Sequence, residues 1–201
     1  SNAISLDARH ADSHYELGVV LLGRKKVDAA RDALQKALDL EPENSDFIIG
    51  LVLALVEKKK FDKSLKLLLS ITKSEMDNPK VFFAICNVYT KKGYFTVATE
   101  HCEKSLELDN GDFITMNRLA WLYAKKRIKL KKAFELSNQT LKAFPKRDEF
   151  IDTLSEILYV QGKTKKAIAK IQEAIELMPK NTYYKKQLWK FKNTKLTDPT
   201  G

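Results

Sequence analysis

"YELGVVLLGRKKVDAARDALQKALDLEP", residues 15–42, decides how this chain folds. Leu17 and Leu21 make one apolar stripe at helical spacing, and Leu34 and Leu38 make a second. Between them lies the short polar turn "RKK" (24–26), followed by Asp28, where the first turn of a helix favours an acid. Gly18, Ala30 and Ala37 are small enough to let two helices approach closely, and Pro42 stops the second one. The stretch reads as a helix–turn–helix pair.

The same pair returns along the chain in steps of 34 residues. Leu17, Leu51, Ile85 and Leu119 fall in register, as do Gly18, Val52, Cys86 and Ala120. Leu21, Leu55, Tyr89 and Tyr123 follow, then Ala30, Ser64 and Ala98. The fourth unit gains one residue within "KKRIKLKKA" (125–133), so its matching alanine is Ala133. A fifth unit resumes with Leu154, Ser155, Leu158, Ala167 and Ala174, and Pro145 and Pro179 close units four and five. One such pair cannot bury both of its faces, so stability requires stacking on neighbours.

These units resemble the tetratricopeptide repeat (TPR), whose pattern is W-x2-L-G-x2-Y, then A-x3-F, then a closing P. Unit one reads His14-x2-Leu17-Gly18-x2-Leu21, Ala30-x3-Leu34, Pro42; unit three reads Phe82-x2-Ile85-Cys86-x2-Tyr89, Ala98-x3-Cys102. No unit carries the family's packing tryptophan, whose place in unit four is Met116. Unit two departs furthest, with Val52, Ser64 and Ile71 at the small sites. The resemblance implies an all-α, right-handed α-solenoid of stacked antiparallel helix pairs with an extended concave face. The repeats fall at 11–44, 45–78, 79–112, 113–147 and 148–181, with a capping helix at 182–193 and a tail at 194–201. Tyr184, Leu188 and Phe191 form the apolar stripe of the cap, and the lysines around them are expected to face water. At the other end Ser1-Asn2-Ala3 reads as the scar of a cleaved tag. "AISLDA" (3–8) aligns with "ALDLEP" (37–42), as the tail of a preceding second helix would, with Asp12 capping the next helix.

Composition agrees with a soluble helical protein: 44% apolar and 31% charged residues, with seven Gly and five Pro. No apolar run approaches the roughly 18 residues of a membrane span. The sequence leaves cytoplasm and periplasm equally open. The net charge of +10 is lopsided: residues 1–112 carry −2 and residues 113–201 carry +12, which favours an oriented anionic partner.

Catalytic chemistry finds little footing. His10 and His14 are four apart, but a cap at Asp12 would leave His10 outside the helix, so no metal site is expected. Cys102 falls on a buried stripe beside His101, a poor place for a nucleophile. Cys86 and Cys102 occupy two small packing sites of one repeat, which leaves both a bond and two buried thiols open. No G-x-x-x-x-G-K-[ST], G-x-G-x-x-G or C-x-x-C occurs. The chain reads as a non-enzyme that needs no cofactor.

Binding is the better prospect. On the first helix of unit four, Met116, Leu119 and Tyr123 share one side, and Asn117, Trp121 and Lys125 lie on the other with Arg118 at the edge. In TPR proteins that second stripe lines the concave groove where peptides lie. The same offsets select Lys80, Phe83, Asn87 and Lys91 in unit three, and Glu149, Asp152, Glu156 and Tyr159 in unit five. Phe83, Trp121 and Tyr159 are the expected aromatic anchors for a peptide segment of another protein, one carrying some negative charge. Asn87 and Arg118 match parts of the family's carboxylate clamp, whereas Ile49 and Phe83 stand where its first lysine belongs. A second expectation is a basic edge formed by the turns within repeats, at Lys58, Lys59, Lys60, Lys125, Lys126 and Arg127. It would suit nucleic acid or an anionic membrane as the alternative partner. Self-association through the solenoid ends is a further expectation.

Overall fold

The computed structural model describes residues 2–194, with side chains from His10 onward. They form eleven α-helices and, among the described residues, no strand: α1 (Asn2–Gly23), α2 (Val27–Leu40), α3 (Ser45–Glu57), α4 (Phe61–Ile71), α5 (Pro79–Lys92), α6 (Phe95–Leu108), α7 (Phe113–Lys126), α8 (Leu130–Ala143), α9 (Asp148–Val160), α10 (Thr164–Leu177) and α11 (Thr182–Asn193). The fold is an all-α solenoid of stacked helix pairs. Contacts divide it into two compact units, Ser1–Leu108 and Asp109–Gly201. In the first unit α1 pairs with α2, α3 with α4 and α5 with α6, while α2 lies on α3 and α4 on α5. In the second α7 pairs with α8 and α9 with α10, while α8 lies on α9 and α11 closes on α10. The tail 195–201 lies outside the described residues.

The starts of α3, α5, α7 and α11 are set by a recurring side-chain cap, which α9, preceded by Arg147, does without. Asn44 accepts from the N–H groups of Asp46 and Phe47, Asn78 from Lys80, Asp112 from Ile114 and Thr115, and Asn181 from Tyr183. Each satisfies orphan donors of the first turn. The acids of the turns between repeats support two of these caps: Glu41 and Glu75 accept from the side-chain amides of Asn44 and Asn78.

The end of each first helix is more uniform. The N–H groups of Lys26, Lys60, Tyr94, Ile128 and Lys163 donate five residues back, to the carbonyls of Leu21, Leu55, Tyr89, Tyr123 and Leu158. This is the Schellman closure, which requires a left-handed residue just before the donor. Glycine fills that place in units three and five, Gly93 at φ 87° and Gly162 at φ 78°. Basic residues fill it in the others: Lys25 (59°), Lys59 (57°) and Arg127 (54°). The extra residue of unit four is absorbed in the same turn by a second left-handed residue, Lys129 at 45°.

Between these turns the small residues set helix spacing. A Cβ at Gly18 would fall on the Leu34 side chain, and one at Gly50 would come within 2.8 Å of the Tyr15 ring and 2.9 Å of Leu34. In unit two the larger residues keep α3 and α4 less closely apposed than the other pairs, although Val52 and Ser64 are essentially inaccessible. Ser64 satisfies its hydroxyl by donating to the Lys60 carbonyl. Cys86 on α5 and Cys102 on α6 are joined in a disulfide, Cα–Cα 5.3 Å, with both residues fully buried.

One expectation fails at the first helix. α1 runs unbroken from Asn2 to Gly23, so Asp12 is interior and caps nothing, and residues 3–8 belong to the same helix as Leu17. No proline or glycine interrupts residues 3–17, and nothing there opposes helical continuation.

The left-handed turn gives a direct stability test. Lys59→Gly should stabilise the protein by roughly 0.5–1 kcal/mol, the relief of left-handed strain less the added freedom of the unfolded chain. Gly93→Ala should cost about 1 kcal/mol or more. Urea midpoints of the two variants check both signs. For the disulfide, Cys86→Ala with Cys102→Ala should cost about 3 kcal/mol, as expected for closure of a loop of about 15 residues. The same measurement under oxidising conditions reads it.

Candidate functional site

In the first unit the expected binding stripe lies on α5. Lys80 is exposed and pairs with Asp46 of α3 at 2.9 Å. Phe83 and Asn87 are half-buried and Lys91 is exposed. The Asn87 Oδ1 atom is buried and accepts no hydrogen bond from the protein.

In the second unit the stripe runs over α7, α9 and α11. Asn117, Arg118, Trp121 and Lys125 of α7 are half-buried. Asn117 Oδ1, like that of Asn87, is buried without a donor. Burial pushes the Arg118 guanidinium below its ordinary value, against the opposing pull of Glu149. The Lys125 ammonium sits 5.2 Å from the centre of the Trp121 ring and 3.3 Å from Glu156 Oε1. Trp121 is therefore a partly covered surface whose flank is held by a cation.

The unit-five residues are not an open groove surface. Asp152, Glu156 and Tyr159 are 7%, 3% and 4% exposed. The cause is α11. Its Phe191 stacks on Tyr159 at 4.6 Å, and the Tyr159 hydroxyl donates to the Thr194 carbonyl at 2.7 Å. Gln187 Nε2 and Lys190 Nζ both donate to Glu156 Oε2, at 3.2 and 2.6 Å. Tyr159 is consequently a core aromatic and not a groove anchor. Glu149 remains exposed and pairs with Arg147 at 3.2 Å. The α11 stripe Tyr184, Leu188 and Phe191 does face inward, but Lys190 folds back onto Glu156 instead of facing water.

Glu156 is thus a buried carboxylate gripped by two ammonium groups. Burial alone would raise its pKa, but Lys125 and Lys190 outweigh it and hold the group below the usual range. Asp152, one helical turn away, fares differently. Burial, then repulsion from Glu156, pushes its carboxyl up to about 7, against hydrogen bonds from Gln187 and Tyr183 and the charge of Lys125. Its Oδ1 is buried without a partner. Burial and the neighbouring Asp152 raise the Tyr183 phenol. Burial also raises Tyr184, whose hydroxyl donates to Asp148 Oδ2 at 2.7 Å.

The basic edge is partly neutralised from within. Lys58 pairs with Asp28 at 2.9 Å, and Lys92 with Asp62 at 2.7 Å, each lysine joining its turn to the second helix of the repeat before. Lys125 is committed to Glu156, and Lys126 and Arg127 are half-buried, while Lys59 and Lys60 are exposed. His101 stacks face to face on Tyr89 at 5.8 Å, and Cys102 beside it is disulfide-bonded, so no thiol nucleophile exists there. His10 and His14 share α1 after all, the first exposed and the second half-buried. Among the described residues no group of three or more His, Cys, Asp or Glu could hold a metal, and no helix is long and apolar enough to cross a membrane.

Asp152 makes stability depend on pH. Its folded value lies above the unfolded one, so the folded state keeps a proton that the unfolded state has lost between about pH 4 and pH 7. Stability contributed by that proton falls as pH rises through this window and is gone above it. Asp152→Asn should therefore stabilise the protein at pH 8, by up to about 4 kcal/mol, and leave it nearly unchanged at pH 4. Thermal melts at the two pH values read the difference.

The sequence profile of the tetratricopeptide repeat matches residues 21–82. No curated protein matches the chain. Among solved structures, the chain superposes on TTC0263, a thermophilic TPR protein of Thermus thermophilus, with TM-score 0.75 and 18% identity, covering 90% of this chain and 98% of that one. It is similar to YrrB, described as a TPR protein with an unusual peptide-binding site, with TM-score 0.61 and 16% identity over 92% and 95% of the two chains. Yeast Tom70 gives TM-score 0.69 and 21% identity over 95% of this chain and 42% of that one. Residues 21–82 thus match the tetratricopeptide repeat, and the chain has the fold of TPR proteins.

Proposed function

We propose that the chain is a non-catalytic scaffold that holds a peptide segment of another protein against the inner stripe of its first helices. The observation that carries this reading is the pair of buried amide oxygens, Asn87 Oδ1 in the first unit and Asn117 Oδ1 in the second. A buried acceptor without a donor costs about 1–3 kcal/mol, and the N–H groups of an extended peptide would remove that cost. Each amide lies beside a half-buried aromatic of the stripe, Phe83 on α5 and Trp121 on α7. Half-buried aromatic surface beside amides that can turn an unsatisfied oxygen outward is what a peptide backbone with apolar side chains fits. The description of YrrB as peptide-binding adds to this reading.

Lys91, exposed beside the α5 stripe, favours a segment with some negative charge. A nucleic-acid or anionic-surface role rests on the surplus of 20 Lys/Arg over 8 Asp/Glu in residues 113–201. The pairing of Lys58 and Lys125 weakens it.

Peptides selected from a random display library on the immobilised protein should lose at least about tenfold in affinity, roughly 1.4 kcal/mol, on Asn117→Ala combined with Trp121→Ala. Circular dichroism should show unchanged helix. Undiminished binding, or selected ligands released steeply by salt and unaffected by the two substitutions, overturns the reading.

A further inference from the structure

Leu17 and Val20 of α1 are 51% and 50% exposed. Their places in the repeat are core places everywhere else. The counterparts of Leu17 are Leu51, Ile85, Leu119 and Leu154, all at 5% or less. Those of Val20 are Ala54, Val88, Leu122 and Ile157, all at 0%. On α3, α5 and α9 this stripe receives the second helix of the pair before it, as α2 lies on α3, α4 on α5 and α8 on α9. On α1 the same stripe is bare, and it is bordered by the exposed Asp12, Glu16 and Val19.

α11 carries the complementary anomaly. Trp189 is 65% exposed, at the place where Gly18, Val52, Cys86, Ala120 and Ser155 are buried. Small residues there admit the second helix of the same pair, and an indole would hold such a helix off. Lys185 and Lys192 share its face, four residues before and three after, and Lys186 lies at the edge; all three are exposed. α11 contains no acidic residue.

We propose that α11 of one molecule docks on α1 of a second copy. Trp189 covers Leu17 and Val20, and Lys185, Lys186 and Lys192 meet Asp12 and Glu16. Charge complementarity selects this occupant: Asp12 and Glu16 on the flank of α1 meet the lysines of α11, whereas two copies of the wholly basic α11 face would repel. The contact is heterologous, since each molecule offers a different surface at each end of the helix series, and repetition yields open chains or rings rather than a closed dimer.

Analytical ultracentrifugation of the whole chain tests this. Wild-type protein should show a mass that rises with concentration and falls back as salt is raised. Leu17→Lys with Val20→Lys blocks one surface, and Trp189→Asp blocks the other. All three positions are exposed, and helix content should be unchanged. Each blocked variant alone should be monomeric, and an equal mixture should give a one-to-one dimer that grows no further, because each supplies the surface the other lacks. A monomeric wild type at every concentration, a blocked variant that still self-associates, or a mixture that stays monomeric overturns the proposal.

Discussion

A helix pair with apolar residues on two faces can bury one face within itself and must bury the other against its neighbour. That constraint organises the protein. It explains why Leu51, Ile85, Leu119 and Leu154 hold the same place in successive repeats and are all buried. It explains why glycine or a small residue recurs where two helices come closest, and why Gly18 and Gly50 leave no space for a methyl group. Within each unit it also requires a pair to meet the next in matching register. The Asn or Asp caps of α3, α5 and α7 fix where those helices begin, and the left-handed turn fixes where the first helix of each pair ends.

The caps and turns also account for much of the charge pattern. Glu41 and Glu75 orient cap amides. Lys58 and Lys92 reach back to Asp28 and Asp62 of the preceding repeat. These exposed pairs are individually worth little, but they show that a row of lysines along one edge is partly an internal device. Glu156 is the opposite case, a carboxylate so enclosed that losing either Lys125 or Lys190 would leave it poorly compensated.

The helical register was legible from residues 15–42 and their spacing, because apolar period, small sites and turn chemistry all repeat. The fate of the individual inner residues was less so. Asp152, Glu156 and Tyr159 follow the same offsets as Asn117 and Trp121, yet they are covered, because α11 brings Phe191, Gln187 and Lys190 over them. A partial signal existed: Glu156 and Lys190 are opposite charges 34 residues apart, as are Asp46 and Lys80, so each pair occupies equal places on successive first helices. Pattern alone places Lys190 in solvent because it reads one helix at a time. The continuity of α1 was missed for a similar reason, since Asp12 has the chemistry of a cap without the preceding break that makes one.

The Cys86–Cys102 bond acquires meaning from the architecture around it. A stack of near-identical pairs is held by nearest-neighbour contacts, so it can open from an end, pair by pair, without a single all-or-none event. A covalent link between the two helices of one pair does not prevent that fraying. It does keep α5 and α6 together after their neighbours have let go. The two helices of the third repeat therefore stay tethered even where the stack around them has opened, and their re-pairing needs no search through the rest of the chain.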